Sequence, residues 1–217
     1  MDTPGLIALD WNGTSLNDGE YVYGAVKAIF NHFMVEAPPL RVFLPSAQAD
    51  YVIAYHQHGI PVSVTKKEIG KIWEEYFLAN PNGVELRPGI IELLTLCKES
   101  GIKTAIVSGE NNNILMRRLD AFNLFELLDM ARGGCLDKKQ ALKKVASDLN
   151  VRPQATVYVD DNCIGLTDAK SLGIITIGFL DGWQLPDQIR MANPSFTAST
   201  IHDVAKIVRS LQAQGVT

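Results

Sequence analysis

The sequence predicts a doubly wound, Rossmann-like α/β fold: a parallel sheet covered by helices on both faces, with a small all-helical segment inserted after strand one. Three observations lead there. Short continuous apolar runs end in polar or glycine-rich turns, as strands buried on both faces do. From residue 85 onward these runs alternate with amphipathic helical patterns, which implies a doubly wound parallel sheet. Between Leu16 and Glu85 the alternation stops and only helical patterns remain.

In chain order, Leu6–Leu9 is the first strand and runs into Asp10. Gly19–Phe33 reads as an amphipathic helix. Thr65–Leu78 reads as another, opened by Thr65 as N-cap with Glu68 three residues on. The proline-rich Ala37–Pro45 reads as a connection, and Arg87-Pro88-Gly89 marks the return to the sheet. Residues 1–15 and 85–217 are therefore assigned to the core domain and 16–84 to the helical insertion. Ile90–Glu99 then presents a broad apolar face, and Lys103–Val107 is a strand leading to Ser108. Asn111–Ala121 is a helix, Leu127–Met130 a weaker strand, and Lys139–Leu149 a helix. Thr156–Val159 leads to Asp160, and Ile174–Ile177 to Gly178. The last helix, Thr200–Ala213, carries Ile201, Val204, Ile207, Val208 and Leu211 at helical spacing.

Nearly half of the 217 residues are apolar and a fifth charged, which excludes a disordered chain. A net charge of −4 gives no broad positive field, so nucleic acid is not an expected partner. A small anionic molecule stays open, because a pocket can differ in sign from the whole. No apolar run approaches the roughly 20 residues that span a bilayer, so no membrane association is expected. The N-terminus lacks the pattern of a signal peptide. Cys97, Cys135 and Cys163 show no metal or redox spacing and are expected to be free, small buried hydrophobes. The expectation is a cytoplasmic protein. Oligomeric state is not legible.

In an open parallel sheet, ligands bind beyond the carboxyl ends of the strands. The polar residues that stand at such ends are Asp10, Ser108 with Gly109, and Asp160 with Asp161. Converging carboxylates repel, which raises a pKa or recruits a cation. A small set of hard oxygen ligands favours Mg²⁺, which keeps waters and bridges to phosphate. A carboxylate in that setting can attack phosphorus. The phosphoryl oxygens need donors, and Ser108, the turn at Gly109, and Lys138 or Lys139 at the start of a helix can supply them.

These residues carry a resemblance. Leu9-Asp10-Trp11-Asn12-Gly13-Thr14 resembles the first motif of the haloacid-dehalogenase superfamily hydrolases, and Ile106-Val107-Ser108-Gly109 the second. Lys138 is similar to the third. Val159-Asp160-Asp161-Asn162, followed by Gly165, Ala169, Lys170 and Gly173, is similar to the fourth. Leu86-Arg87-Pro88-Gly89 resembles the re-entry from a helical cap in phosphoglycolate-phosphatase-like members. The resemblance implies a Mg²⁺-dependent phosphatase acting on a small phosphorylated metabolite through an aspartyl-phosphate. It implies Asp10 as nucleophile and metal ligand, the Asn12 carbonyl and Asp161 as further ligands, and Asp160 as support of the metal shell. Ser108, Gly109 and Lys138 would bind the phosphoryl group, with Lys139 in reserve. Gly13 and Thr14 would shape the phosphate side of the loop, and the cap would choose the substrate.

One position departs from the pattern. Such phosphatases carry a second aspartate, the general acid–base, where this chain has Asn12. An amide cannot exchange protons in that way, and losing such a group costs ~10²–10⁴-fold in rate. Glu20, His56 and His58 in the insertion are candidates to replace it. Two further readings follow: a non-catalytic domain that binds a phosphorylated metabolite, and a phosphonatase-like C–P hydrolase. The second would need a cap lysine as Schiff-base former, and Lys27, Lys66, Lys67 and Lys71 are the lysines of the insertion.

Overall fold

The computed structural model describes residues 3–47, 51–80 and 83–214. Along the chain, β1 (Leu6–Leu9) is followed by the two-residue β2 (Leu16–Asn17) and four helices. These are α1 (Gly19–His32), α2 (Leu40–Phe43), α3 (Tyr51–Gln57) and α4 (Lys66–Ala79). The short β3 (Glu85–Leu86) leads to α5 (Ile90–Glu99), β4 (Lys103–Val107), α6 (Asn112–Ala121), β5 (Met130–Arg132) and α7 (Lys138–Asp148). Then come β6 (Thr156–Asp160), α8 (Cys163–Ser171), β7 (Ile175–Phe179), α9 (Pro186–Met191), β8 (Phe196–Ala198) and α10 (Ile201–Gln214).

Six strands form one parallel sheet in the order β5-β4-β1-β6-β7-β8. The chain winds outward from β1 to β4 and β5, then crosses back to β6 on the other side. That reversal places the switch point at the carboxyl end of β1. Side chains alternate across the sheet as the strand period requires. Leu6 and Ala8 pack with Leu142, Val145 and Ala146 of α7, whereas Ile7 and Leu9 pack with the apolar faces of α5 and α10. The doubly wound architecture predicted from the alternating runs is the one observed.

Helices α1 to α4 enclose a separate apolar cluster around Phe30, Phe43 and Tyr55. Phe30 and Phe43 meet edge to face at 5.7 Å and 89°. The N-terminus of α4 is closed by the expected capping box: Thr65 N–H donates to Glu68 Oε2 at 2.8 Å, and Thr65 Oγ1 accepts from Glu68 N–H at 3.3 Å. Trp183, from the loop after β7, packs against this cluster from the sheet side.

Several short elements differ from the sequence reading. Strands β2 and β3 pair antiparallel, Leu16 opposite Leu86 and Asn17 opposite Glu85, and tie the two ends of the insertion together. The weaker strand expected at Leu127–Met130 lies at Met130–Arg132, because Phe125–Leu127 forms a 3₁₀ turn and β5 takes its register from β4. The connection Ala37–Pro45 holds α2, and α3, α9 and the edge strand β8 were not foreseen. Segments of two to seven residues carry too few repeats for a period to be read, and tertiary contacts decide them. All three cysteines are free, but only Cys97 is fully buried. Among the described residues, no helix is long and apolar enough to cross a membrane.

Candidate active site

The alternation that sorts β1 also aims its last residue. Leu6 and Ala8 face α7, so Asp10, two positions on, points to that side at the strand's end. On β6, Tyr158 and Asp160 repeat the arrangement. Lys138 is the first residue of α7, behind the N-cap Asp137, whose carboxylate accepts from Gln140 N–H at 2.9 Å. From there its ammonium donates to Asp10 Oδ1 and to the Val107 carbonyl. Lys139 is exposed instead. Asp10, Asp160 and Asp161 each offer a carboxylate oxygen within 4.8 Å of the others.

Such crowding has an electrostatic cost. Burial, and then the charge of Asp10, raise the Asp160 pKa well above the carboxylate range, against the pull of Lys138. Burial and Asp10 raise Asp161 to about 7, although hydrogen bonds from Trp183 and Thr14 oppose this. Burial works against the charge of Lys138, but Asp10 and Asp160 outweigh it and raise its pKa. The lone cation is thus held on, while the carboxylates as a group lack compensating charge.

Each carboxylate is fixed by neighbours. Tyr158 OH donates to Asp160 Oδ2 at 2.7 Å and Asn162 N–H to Oδ1 at 3.0 Å. Thr14 Oγ1 donates to Asp161 Oδ1 at 2.8 Å and accepts from the Asp161 N–H at 3.0 Å. Trp183 N–H donates to Asp161 Oδ2 at 2.6 Å. Three glycines leave the room these side chains occupy. A Cβ on Gly165 would run into Asp160, and one on Gly13 or Gly182 into Asp161.

Asn12 does not stand free. Its Nδ2 donates to Asp18 Oδ2 at 2.7 Å, while Asp18 Oδ1 accepts from Gly13 N–H and from the Trp183 indole, both at 2.9 Å. Burial raises Asp18 to about 6 despite these three donors. Arg87 clamps the same loop from outside. Its Nη2 donates to the Gly13 carbonyl at 3.0 Å and its Nη1 to Asp181 Oδ2 at 2.8 Å, with the guanidinium 4.8 Å from the Phe179 ring centroid.

Ser108 is buried, and its N–H is committed to the Arg132 carbonyl. Its Oγ accepts from Glu110 N–H at 3.0 Å, so the hydroxyl proton is left to donate. Asp10, Asn12, Ser108, Gly109, Lys138, Asp160 and Asp161 all line one cavity of about 650 Å³ between the sheet and the insertion.

Gly13 and Thr14, read from the sequence as phosphate-side residues, are not among the described residues lining the cavity. Both are buried away from the cavity, the Gly13 N–H is bound to Asp18, and the Thr14 hydroxyl serves Asp161 on both its donor and acceptor sides. Glu20, His56 and His58 do not reach the cavity either. Glu20 is exposed, His56 Nε2 lies 3.1 Å from the Val64 carbonyl, and His58 Nε2 lies 3.2 Å from Ser46 Oγ. Sequence reasoning missed Asp18, Arg87 as a clamp, and Trp183. Asp18 before Gly19 reads locally as an ordinary helix N-cap, and nothing near it in sequence tells that its carboxylate serves the Asp10 loop instead.

Comparison with known proteins gives a consistent picture. Residues 7–179 match the family described as haloacid dehalogenase-like hydrolase. A phosphoglycolate phosphatase from Synechococcus elongatus is 23% identical over 133 residues, 60% of this chain and 63% of that protein. The chain thus spans less than two thirds of that relative's length. A phosphoglycolate phosphatase from Haemophilus influenzae is 24% identical, over 88% of this chain and 92% of its own. Among solved structures, a predicted phosphoglycolate phosphatase from Haemophilus somnus shares the fold with a TM-score of 0.81 at 18% identity, covering 95% of this chain and 99% of its own.

Proposed function

We propose, since this chain belongs to the haloacid dehalogenase-like hydrolases, that it is a Mg²⁺-dependent phosphatase hydrolysing a small phosphorylated metabolite through an aspartyl-phosphate on Asp10. The observation that carries this reading is the meeting of Asp10, Asp160, Asp161 and Lys138 at the carboxyl end of the central strand. Residues 16–84 act as the cap over that point.

The donor set fits the metal. Three carboxylates whose ligand atoms lie within 4.8 Å of one another, two of them raised in pKa, offer hard oxygens short of positive charge. Asp10, Asp161 and the backbone carbonyl of Asn12 would hold Mg²⁺, with Asp160 behind them. When bound, the ion neutralises the carboxylates and the phosphoryl oxygens.

The chain's own residues supply the rest. A carboxylate oxygen of Asp10 attacks phosphorus. The new O–P bond forms as the ester P–O bond breaks, and the leaving group departs with the ester oxygen and its electron pair as an oxyanion that takes its proton from water. A water molecule then attacks phosphorus, the aspartyl O–P bond breaks, inorganic phosphate leaves with the water oxygen and the Asp10 carboxylate is restored. Lys138 orients Asp10 and offsets developing charge, and the Ser108 hydroxyl donates to a phosphoryl oxygen. Asn12, held by Asp18, cannot protonate the leaving oxygen. The first step therefore favours alcohols that depart readily as the oxyanion.

The test is turnover of p-nitrophenyl phosphate with and without Mg²⁺, beside Asp10→Asn. Metal-dependent hydrolysis that falls on the order of 10³-fold or more in the variant is expected. Hydrolysis unaffected by Asp10→Asn would sink the proposal.

Asn12 also favours a second reading, a domain that binds a phosphorylated metabolite without turning it over. That reading predicts a silent wild type and the appearance of activity when the pair is exchanged, Asn12→Asp with Asp18→Asn. The C–P hydrolase reading gains no support, because Lys27 and Lys66 lie over the rings of Tyr23 and Tyr51, and none of the four cap lysines is among the described residues lining the cavity.

A further inference from the structure

The cavity has two unlike walls, and the cap side bears on what can leave. On that side it is lined by Val22, Val26, Phe43, Tyr55, Trp73 and Phe77, all apolar or aromatic. Among the described residues lining the whole cavity, Lys138 is the only Lys, Arg or His, and it is bound to Asp10. Residues 1–2, 48–50, 81–82 and 215–217 include no Lys, Arg or His.

Two neighbouring cations are engaged elsewhere. Arg118 Nη1 is paired with Glu110 Oε2 at 2.9 Å, and Lys66 lies 5.0 Å from the Tyr51 ring centroid. The remaining charges along the cavity, Glu74, Glu110 and Asp168, are acidic. Burial pushes the pKa of the Tyr55 hydroxyl up, as a low-dielectric wall does.

We infer that the substrate is a phosphomonoester whose leaving group is uncharged and largely apolar, an aromatic alcohol able to depart as the oxyanion, and not a second anion such as the carboxylate of 2-phosphoglycolate. This rests on the phosphatase reading above and sets its substrate class. A second carboxylate on the cap side would be desolvated with no cation to meet it and with acids around it, which is costly. An apolar group gains there from burial, roughly 25 cal/mol per Å² removed from water. Size agrees: about 650 Å³ lies in the range of pockets that enclose drug-sized ligands, roughly 300–1,000 Å³, and a two-carbon ester would leave most of it unfilled.

The experiment compares kcat/KM of the full chain with Mg²⁺ on phenyl phosphate, hexyl phosphate and 2-phosphoglycolate, beside two cap variants. Glu74 is exposed at the rim, so Glu74→Lys leaves the fold intact while adding a cation. The inference expects phenyl and hexyl phosphate both to show a lower KM than 2-phosphoglycolate, the hexyl ester serving as the apolar compound whose oxyanion departs as poorly as that of glycolate. It expects phenyl phosphate to lead 2-phosphoglycolate in kcat/KM by tenfold or more. Glu74→Lys should narrow that lead several-fold through a lower KM for 2-phosphoglycolate, and Trp73→Ala should cost the phenyl ester more than the glycolate ester. Equal or better turnover of 2-phosphoglycolate overturns the inference and leaves the phosphatase reading standing. If no ester is turned over, the phosphatase reading falls, and calorimetric titration with benzylphosphonate and 3-phosphonopropionate decides the rest. Tighter binding of the benzyl compound upholds the apolar pocket, and equal or tighter binding of the carboxylate overturns it.

Discussion

The two walls of the cavity are built on opposite principles. On the sheet side, polar atoms are packed to the point of conflict: three carboxylates and one ammonium share a few ångströms, and most have assigned hydrogen-bond partners. On the cap side, aromatic rings meet through edges and faces, and charge is kept at the rim. The first arrangement sets reacting atoms in fixed directions, as a step that gains from preorganised electrostatics requires. The second has little direction and much area, which suits discrimination by shape and hydrophobicity. On the proposed reading, chemistry and choice belong to different stretches of chain.

That division can be broken most sharply at Lys138. Lys138→Met removes the one Lys, Arg or His among the described residues lining the cavity and should lower kcat by about 10²–10³-fold, on the scale of a lost transition-state donor. The loss should be the same for every ester. A loss that varied with the leaving group, read from kcat across the ester panel, would mean that the sheet side also selects.

The next effect is on stability and needs no substrate. Asp18, Asp160 and Asp161 have folded pKa values above the ordinary 3.8, two of them at about 6 and about 7. The unfolded chain therefore releases these protons first. Between roughly pH 4 and 7 it binds fewer protons than the folded chain, so the metal-free protein becomes less stable as pH rises. Unfolding free energies from denaturant titrations at pH 5 and pH 8 should differ by about 4 kcal/mol in favour of pH 5, from the roughly three pKa units that Asp18 and Asp161 together span above pH 5, at about 1.4 kcal/mol per unit. Mg²⁺, which favours the ionised carboxylates, should flatten the difference. A metal-free chain as stable at pH 8 as at pH 5 would show that the sheet-side conflict is relieved in some other way.

The smallest effect sharpens the seam between the walls. Arg118, on α6, pairs with Glu110 and lies 5.8 Å from the ring centroids of both Tyr21 and Phe77 on the cap. Tyr21→Leu should cost no more than ~1 kcal/mol of stability and raise KM several-fold at constant kcat. A fall in kcat instead would show that cap position reaches into the chemistry.

The sheet-side wall was legible in the sequence because its residues sit where periodic elements end. A buried strand announces its own last residue, and the order of alternating elements brings the ends of β1, β4 and β6 together without knowledge of any contact. The start of α7 was ambiguous between Lys138 and Lys139, and a one-residue shift in the helix boundary decides which ammonium turns inward. Asp18, Arg87 and Trp183 were not legible as site residues. They act across 5, 74 and 165 residues of sequence, through hydrogen bonds to the Asp10 loop and to Asp18, and no local pattern records such partners. The cap wall fell between these cases. Its aromatic spacing marked a helical core, but which ring would face a cavity depends on how four short helices settle against one another.

The three glycines beside Asp160 and Asp161 put that contrast in terms of information. At Gly13, Gly165 and Gly182 the requirement is for one missing carbon, and no other side chain meets it without displacing a carboxylate. In a saturation library these positions should each admit one letter. The cap wall should accept many, since any set of apolar groups of similar volume encloses a similar space. Such a chain could drift to a new leaving group through its cap while its reaction stayed fixed by atoms that are not there.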